Sequence, residues 1–434
     1  MSEPFQKDIS TRRDAGGTGS GNAEAYHYAT GELMRVRWNN GEITSLTPVI
    51  GAPPCLERGP GGTPGALWLA PALVDLQING YAGVDFQRDD VTMPELLQVT
   101  RALRRDGCAH FLLTLITDEW PRLMARLKHF ERLRDESPEL HAAIIGWHIE
   151  GPFLSAKPGF HGAHPPALML DPKPEHIREL RAITGDDRVL ITMAPERRGA
   201  PEAIAVAKSL GIRVSLGHTD ASAEILQRAV AAGATGFTHL ANGCPRELDR
   251  HDNIVWRVCE TPGLTVSFIP DSHHVSPAPF RLLHRLLGNA ECRIQNAGAK
   301  NPADASVPHS SFVIRHSPLP IYYTTDAMAA AGAGPGRYRL GAVEVEVGAD
   351  QIVRQPGQTN FAGSALTPIA GVFRAAQMLN CPWQECWRRF SDAPAQFMGF
   401  QNQLRIGATS LCLVEPTTAS VTTLGAAPRQ STGN

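Results

Sequence analysis

The chain has 434 residues, more than one hydrophobic core usually spans unless that core is a large barrel carrying an appended unit. With 42% hydrophobic and 19% charged residues the composition is that of a soluble globular protein, and a net charge of −2 offers no field to attract nucleic acid or an anionic membrane. No stretch reaches the roughly 18 apolar residues of a membrane span, and the eight cysteines lack Cys-x-x-Cys spacing, so a cytoplasmic protein with reduced thiols is expected, with neither nucleic acid nor membrane as partner.

Residues 1–22 are rich in Gly, Ser and charge, lack the apolar segment of a secretory leader and read as disordered. Residues 25–50 alternate as short strands around Asn39-Asn40-Gly41, a hairpin signal, and predict a small β unit. From about residue 72 short apolar runs alternate with helical stretches. Eight runs qualify as strands: 73–80, 110–117, 142–150, 189–196, 213–220, 236–243, 264–274 and 320–328. Between them apolar residues recur at helical spacing, as in Leu96, Val99 and Leu103, or Leu123, Leu127 and Phe130. Apolar strands separated by helices need a parallel sheet buried on both faces. Eight such units predict an α/β fold, a (β/α)8 barrel. Residues 289–319 and 337–360 interrupt the repeat, and the second insertion reads as a hairpin. Gly332, Gly334 and Gly336 lack the spacing of a dinucleotide fingerprint and read as a flexible lip over the pocket. Trp383 and Trp387, four apart, read as helix packing. The strand-like RIGATSLCLVEP then returns toward the N-terminal β unit.

In such barrels the loops after the C-terminal strand ends build the active site. Five of the predicted strands end in ionisable groups: Glu150, His218, His239, His273–His274 and Asp326. Each alone has a plain reading as a hydrogen-bonded loop histidine or a helix cap. Together, one cation accounts for Glu150, His218 and His239. An O,N,N set leaves a coordination position open, as in catalytic zinc sites. Zinc, iron and manganese all accept these donors, and zinc is the expected ion. Such an ion suits hydrolysis, with an unligated carboxylate taking the proton of water and returning it to the leaving group. Asp326, after the apolar IYYTT, is the expected base. His164 in GFHGAHPP and His274 in PDSHHV are candidates for holding a substrate carbonyl or hydroxyls, with an ordinary loop histidine as the alternative.

The segments DLQINGYAGVDF, GWHIEGPFLS with KPGFHGAH, SLGHTDAS, THLANGCP, TTDAMAAAG and FAGSALT resemble, in order over about residues 68–405, the N-acetylglucosamine-6-phosphate deacetylase family of the amidohydrolase superfamily. The resemblance implies a metal-dependent barrel (68–403) with a small β-sandwich built from residues 23–67 and 404–434, usually as a homodimer. It implies Glu150, His218 and His239 as metal ligands, Asp326 as catalytic base and His164 as the residue that polarises the acetyl carbonyl. His274, Asn242 and Gly243 match its sugar-phosphate contacts. Many amidohydrolases carry His-x-His at the end of the first strand to hold a second metal, where this chain has Gln77-Ile78-Asn79. Amides are weaker ligands, so one divalent ion per chain is expected, and Gln77 is expected among the substrate contacts. The family usually has Asn-Ala-Met where this chain has Asn242-Gly243-Cys244, then an arginine from the neighbouring subunit that pairs with phosphate. Arg250 falls about there and Arg246 competes for the role. The expected reaction is hydrolysis of the acetamide of N-acetylglucosamine 6-phosphate. The alternatives are an amidohydrolase for another N-acyl sugar or N-acyl amino acid, and a non-catalytic relative that binds amino sugars.

Overall fold

Asn40 and Gly41 sit at φ 49° and 77°, the left-handed pair a two-residue hairpin turn requires, and they join strands Leu33–Asn39 and Glu42–Pro48. The computed structural model describes residues 20–55, 65–297, 321–357 and 361–425. The disorder predicted for 1–22 lies mostly outside the described residues, but Gly21 and Asn22 already belong to strand Gly21–His27. Of the 289–319 insertion, only the end of helix Pro277–Ala297 is described.

The two chain ends meet in one six-stranded sheet. Its spatial order is Ser420–Gly425, Ser410–Glu415, Trp68–Pro71, Gly21–His27, Leu33–Asn39 and Glu42–Pro48. Where the resemblance implies a sandwich, the ladder is continuous. The sheet curls so that Ile43 N donates to Ala408 O at 2.9 Å and Gly407 N donates to Ile43 O at 2.8 Å. Ala25, Val36, Ile43, Leu69, Leu411 and Leu424 fill its own core. Trp68–Pro71, placed by the sequence at the start of the barrel, pairs instead with Gly21–His27 and Ser410–Glu415.

The barrel strands are β1 (Leu73–Ile78), β2 (Cys108–Ile116), β3 (Ile144–Glu150), β4 (Arg188–Met193), β5 (Arg213–Leu216), β6 (Gly236–Phe237), β7 (Thr265–Phe268) and β8 (Ile321–Tyr323). Each overlaps a predicted run and pairs in parallel with the next. From β5 onward the strands stop short of the ionisable residues, which therefore sit in loops. β1 and β8 meet through a single bridge, Ile78 with Ala327, and through one buried side chain. Asp75 accepts hydrogen bonds from Thr324 Oγ1 at 2.5 Å, Thr325 Oγ1 at 2.6 Å and Thr325 N at 3.0 Å, which joins the two ends of the barrel.

Period-2 alternation on β3 turns Trp147 and Ile149 outward into the main core, which the helices complete, and His148 and Glu150 inward. The interior is layered. Val74, Leu112, Leu190 and Tyr322 pack with Phe397 and Met398 in one apolar layer. Beyond it His148 Nε2, Thr192, Thr238 and Ser215 are linked by hydrogen bonds of 2.8 Å. Two residues past His148 on the same face comes Glu150.

The hairpin predicted at 337–360 is present and gains a third strand: Gly336–Leu340, Val343–Val347 and Val353–Arg354. It packs on Met328, Ala329 and Ala330, just before Gly332, Gly334 and Gly336. Ala329 O and Ala331 O accept hydrogen bonds from Gly83 N and Ala82 N, each at 2.7 Å. Trp383 and Trp387 are buried edge to face, 5.6 Å apart. Among the described residues no helix is long and apolar enough to cross a membrane.

Candidate metal and catalytic site

Three of the predicted site residues hold a backbone that side chains rarely adopt. His218, His239 and Asp326 sit at φ 50°, 33° and 52°. Each such residue costs on the order of 1–3 kcal/mol and persists only where its surroundings over-determine it. All three lie just beyond the C-terminal ends of their strands, at the mouth where Glu150 closes β3.

Glu150 is the centre of the cluster, at 3% exposure. His239 Nε2 lies 2.9 Å and His218 Nε2 3.5 Å from its Oε1, and His164 Nε2 lies 3.9 Å from its Oε2. The rings of His218 and His239 stand 5.0 Å apart, those of His164 and His218 4.7 Å. Burial alone would raise the Glu150 carboxyl, but the hydrogen bonds of His218 and His239 hold it well below the usual carboxylate range. Burial opposes the charged form of His239 too, yet its bond to Glu150 raises it. His164 stays neutral, pushed down to about 3 by burial and then by His218.

This donor set suits a divalent cation. A carboxylate and imidazole nitrogens converge in a buried site, and donor atoms of Glu150, His164 and His218 lie within 4.8 Å of one another. The His218 tautomer is also the one a ligand needs. Its Nδ1 donates to Phe160 O at 2.9 Å, so release of the Nε2 proton that bonds Glu150 gives the lone pair a metal takes. Gly162 and Gly243 flank that ring, both at positive φ. A Cβ on Gly243 would lie 2.8 Å from His218 Nδ1, and one on Gly162 2.8 Å from its Cε1.

Asp326 stands beside the cluster without joining it. Burial and then the charge of Glu150 raise its carboxyl to about 7. Its Oδ1 accepts a hydrogen bond from Asn79 Nδ2 at 2.6 Å. His164 is held from behind, its Nδ1 2.8 Å from Thr117 Oγ1. Next to it a cavity of about 470 Å³ is lined by Thr117, Ala163, Gln87 and the turn Arg339–Val343.

The remaining predicted contacts divide. His274 is fixed by Asp271, whose Oδ2 lies 2.6 Å from its Nδ1, and its ring stands 5.0 Å from Phe361. Asn242 N donates to His239 O at 2.9 Å, and its Nδ2 is buried without a partner. Gln77 Nε2 donates to Glu150 Oε2 at 3.0 Å, so it supports the carboxylate. Arg250 is exposed, its Nε donating to His251 Nε2 at 2.9 Å, whereas the Arg246 guanidinium lies 5.6 Å over the Phe361 ring beside His274. Sequence reasoning gave no role to Asn79, Thr117 or Asp271. The Gln77-x-Asn79 spacing, which puts two amides on one strand face, was the available signal for the first.

No family model matches the chain. An N-acetylglucosamine-6-phosphate deacetylase of Mus musculus is 31% identical over 343 residues, 77% of this chain and 75% of its own. An N-acetylgalactosamine-6-phosphate deacetylase of Escherichia coli O157:H7 is 28% identical over 337 residues, 77% of this chain and 79% of its own. Among solved structures, a mutant N-acetyl-D-glucosamine-6-phosphate deacetylase of Mycobacterium smegmatis in complex with N-acetyl-D-glucosamine-6-phosphate superposes with a TM-score of 0.75 at 27% identity, covering 94% of this chain and 98% of that one. With this barrel, this buried carboxylate–imidazole cluster and a relative so similar over most of both lengths, the chain belongs to the N-acetylglucosamine-6-phosphate deacetylase family of metal-dependent amidohydrolases.

Proposed function

We propose that the chain hydrolyses the acetamide of an N-acetylhexosamine 6-phosphate, N-acetylglucosamine 6-phosphate foremost, releasing acetate and the free amino-sugar phosphate. The observation that carries this reading is the convergence of three imidazoles on Glu150 with Asp326 standing unligated beside them. Glu150, His218 and His239 would hold one zinc ion per chain. When bound, that ion supplies Lewis acidity, lowering the pKa of water and polarising a carbonyl.

The protein groups divide the remaining work. Asp326 takes a proton from the attacking water and delivers it to the amide nitrogen as the C–N bond breaks. His164, anchored by the contact of its Nδ1 with Thr117 Oγ1, holds the acetyl oxygen through an Nε2 hydrogen, and its neutrality spares the site a competing charge. Asp271 turns His274 so that Nε2 meets a sugar hydroxyl. Arg246, beside His274, is the phosphate partner within one chain, while the exposed Arg250 suits a homodimer in which it reaches the neighbouring pocket. The free thiols fit a reducing cytoplasm.

The test is acetate release by zinc-loaded protein across N-acetylglucosamine, N-acetylgalactosamine, their 6-phosphates and N-acetyl amino acids. Fastest release from a hexosamine 6-phosphate is expected. Preference for N-acetyl amino acids, or sugar binding without acetate release, would overturn the reading. The galactosamine epimer is the second reading, favoured by the Escherichia coli relative, and the same panel decides it.

A further inference from the structure

We propose that Asn79 is a positioning residue for this reaction: its amide nitrogen holds Asp326, and its amide oxygen, left without a partner, accepts a hydrogen bond from the attacking water. The inference rests on the hydrolase reading above.

Asn79 directly follows β1 and is 2% exposed. A carboxylate only accepts hydrogen bonds, so the Asn79 amide must face Asp326 with its nitrogen, at 2.6 Å from Oδ1. That orientation turns Asn79 Oδ1 away from Asp326, and there it is buried with no hydrogen-bond partner. An unpaired buried carbonyl is costly, and buried polar groups are rarely left so unless something outside the protein completes them. The attacking water has two hydrogens to place. Asp326 Oδ2, which no donor among the described residues is recorded to engage, takes one, and Asn79 Oδ1 is an acceptor for the other.

The backbone ties the two residues together. Asn79 N donates to Ala327 O at 2.7 Å, and Asn79 O accepts from Phe86 N at 3.0 Å. Ala327 follows Asp326 directly, so the end of β1 fixes the loop in which Asp326 holds φ 52°. Gln77, two residues earlier, donates to Glu150 Oε2 in the same manner. Both amides at this strand end therefore each secure one carboxylate of the site.

The experiment measures kcat and KM against pH for zinc-loaded wild type, Asn79→Ala and Asn79→Asp with N-acetylglucosamine 6-phosphate, alongside zinc content and thermal melting. Asn79→Ala is expected to lower kcat about 10–100-fold with KM and one zinc per chain retained. Without its donor Asp326 should hold its proton more tightly, moving the acidic limb of kcat/KM upward by about one pH unit. Asn79→Asp is nearly isosteric and places a like charge there, so its limb should move further up. A role in packing alone would scale activity equally at every pH. An acidic limb unmoved in both variants, or kcat within threefold of wild type, would remove the role of Asn79. If Asn79→Ala fails to fold, the limb of Asn79→Asp decides. An inactive wild type would sink the hydrolase reading and this inference with it, whereas an active wild type with an unmoved limb would sink this inference alone.

Discussion

Asp326 and Gly243 show how differently single residues carry the site. Asp326 stands beside Glu150 outside the carboxylate–imidazole cluster, and replacing it removes the proton carrier while leaving the donor set intact. Asp326→Asn is expected to lower kcat by about 10²–10⁴-fold with zinc content unchanged, read by acetate release together with metal analysis. Gly243 acts through His218. A Cβ there meets Nδ1 at 2.8 Å on a backbone at φ 61°, so Gly243→Ala should push the ring off Phe160 O. Zinc affinity is then expected to fall about 10–100-fold in competition with a chelator. Glu150, His218 and His239 were legible because ionisable groups ending apolar strands need a common explanation. Asn79 was not, since an uncharged amide signals nothing until its partner 247 residues away is in place.

At the scale of elements, the barrel closes through Asp75 and not through a full ladder. Removing that carboxylate strands the hydroxyls of Thr324 and Thr325 and the Thr325 amide without an acceptor. Asp75→Ala is expected to cost about 2–4 kcal/mol, read from the urea midpoint. It should also lower kcat, because Thr325 is the neighbour of Asp326. The eight strands themselves were legible as apolar runs between helical stretches. Their ends were not. Thr238 and His239 belong to the run read as a strand, yet β6 stops at Phe237: Thr238 N still donates to Leu216 O at 2.8 Å, and the backbone leaves the ladder where His239 takes φ 33°. Gly332, Gly334 and Gly336 read as a flexible lip on composition alone. The residues just before them are held by Ala82, Gly83 and the three-stranded insert.

For the whole molecule, burial of neutral histidine sets the response to acid. His284 lies between Phe280 O at 2.7 Å and the Tyr323 hydroxyl at 2.9 Å, and burial, then the charge of Arg389, lowers it to about 3. Its contribution is complete above the unfolded pKa near 6.5. As pH falls below that, the unfolded chain takes up a proton that the fold refuses, and stability is lost progressively toward pH 3. About 2–3 kcal/mol should be gone by pH 4.5 from this group. Urea unfolding at pH 7.5 and 4.5 should show a smaller difference for His284→Gln than for wild type. Binding of one ion per chain also stabilises the whole fold, so chelation should lower the melting temperature and abolish acetate release, with zinc restoring both. Two tightly held equivalents would contradict the single site, in which Gln77 engages Glu150 through its amide nitrogen.

The order of apolar strands and helices and the gathering of Glu150, His218, His239 and Asp326 after the strands, on the C-terminal side of the barrel, were determined by the sequence alone, because hydrophobic periodicity and the cost of burying charge are local properties of the chain. Which arginine lies over the Phe361 ring, that Gln77 supports a carboxylate, that Asn79 grips Asp326, and that the appended strands form one curled sheet were decided only by tertiary structure. Each of these depends on contacts between segments far apart in the chain, and spacing in sequence carries no measure of such distances.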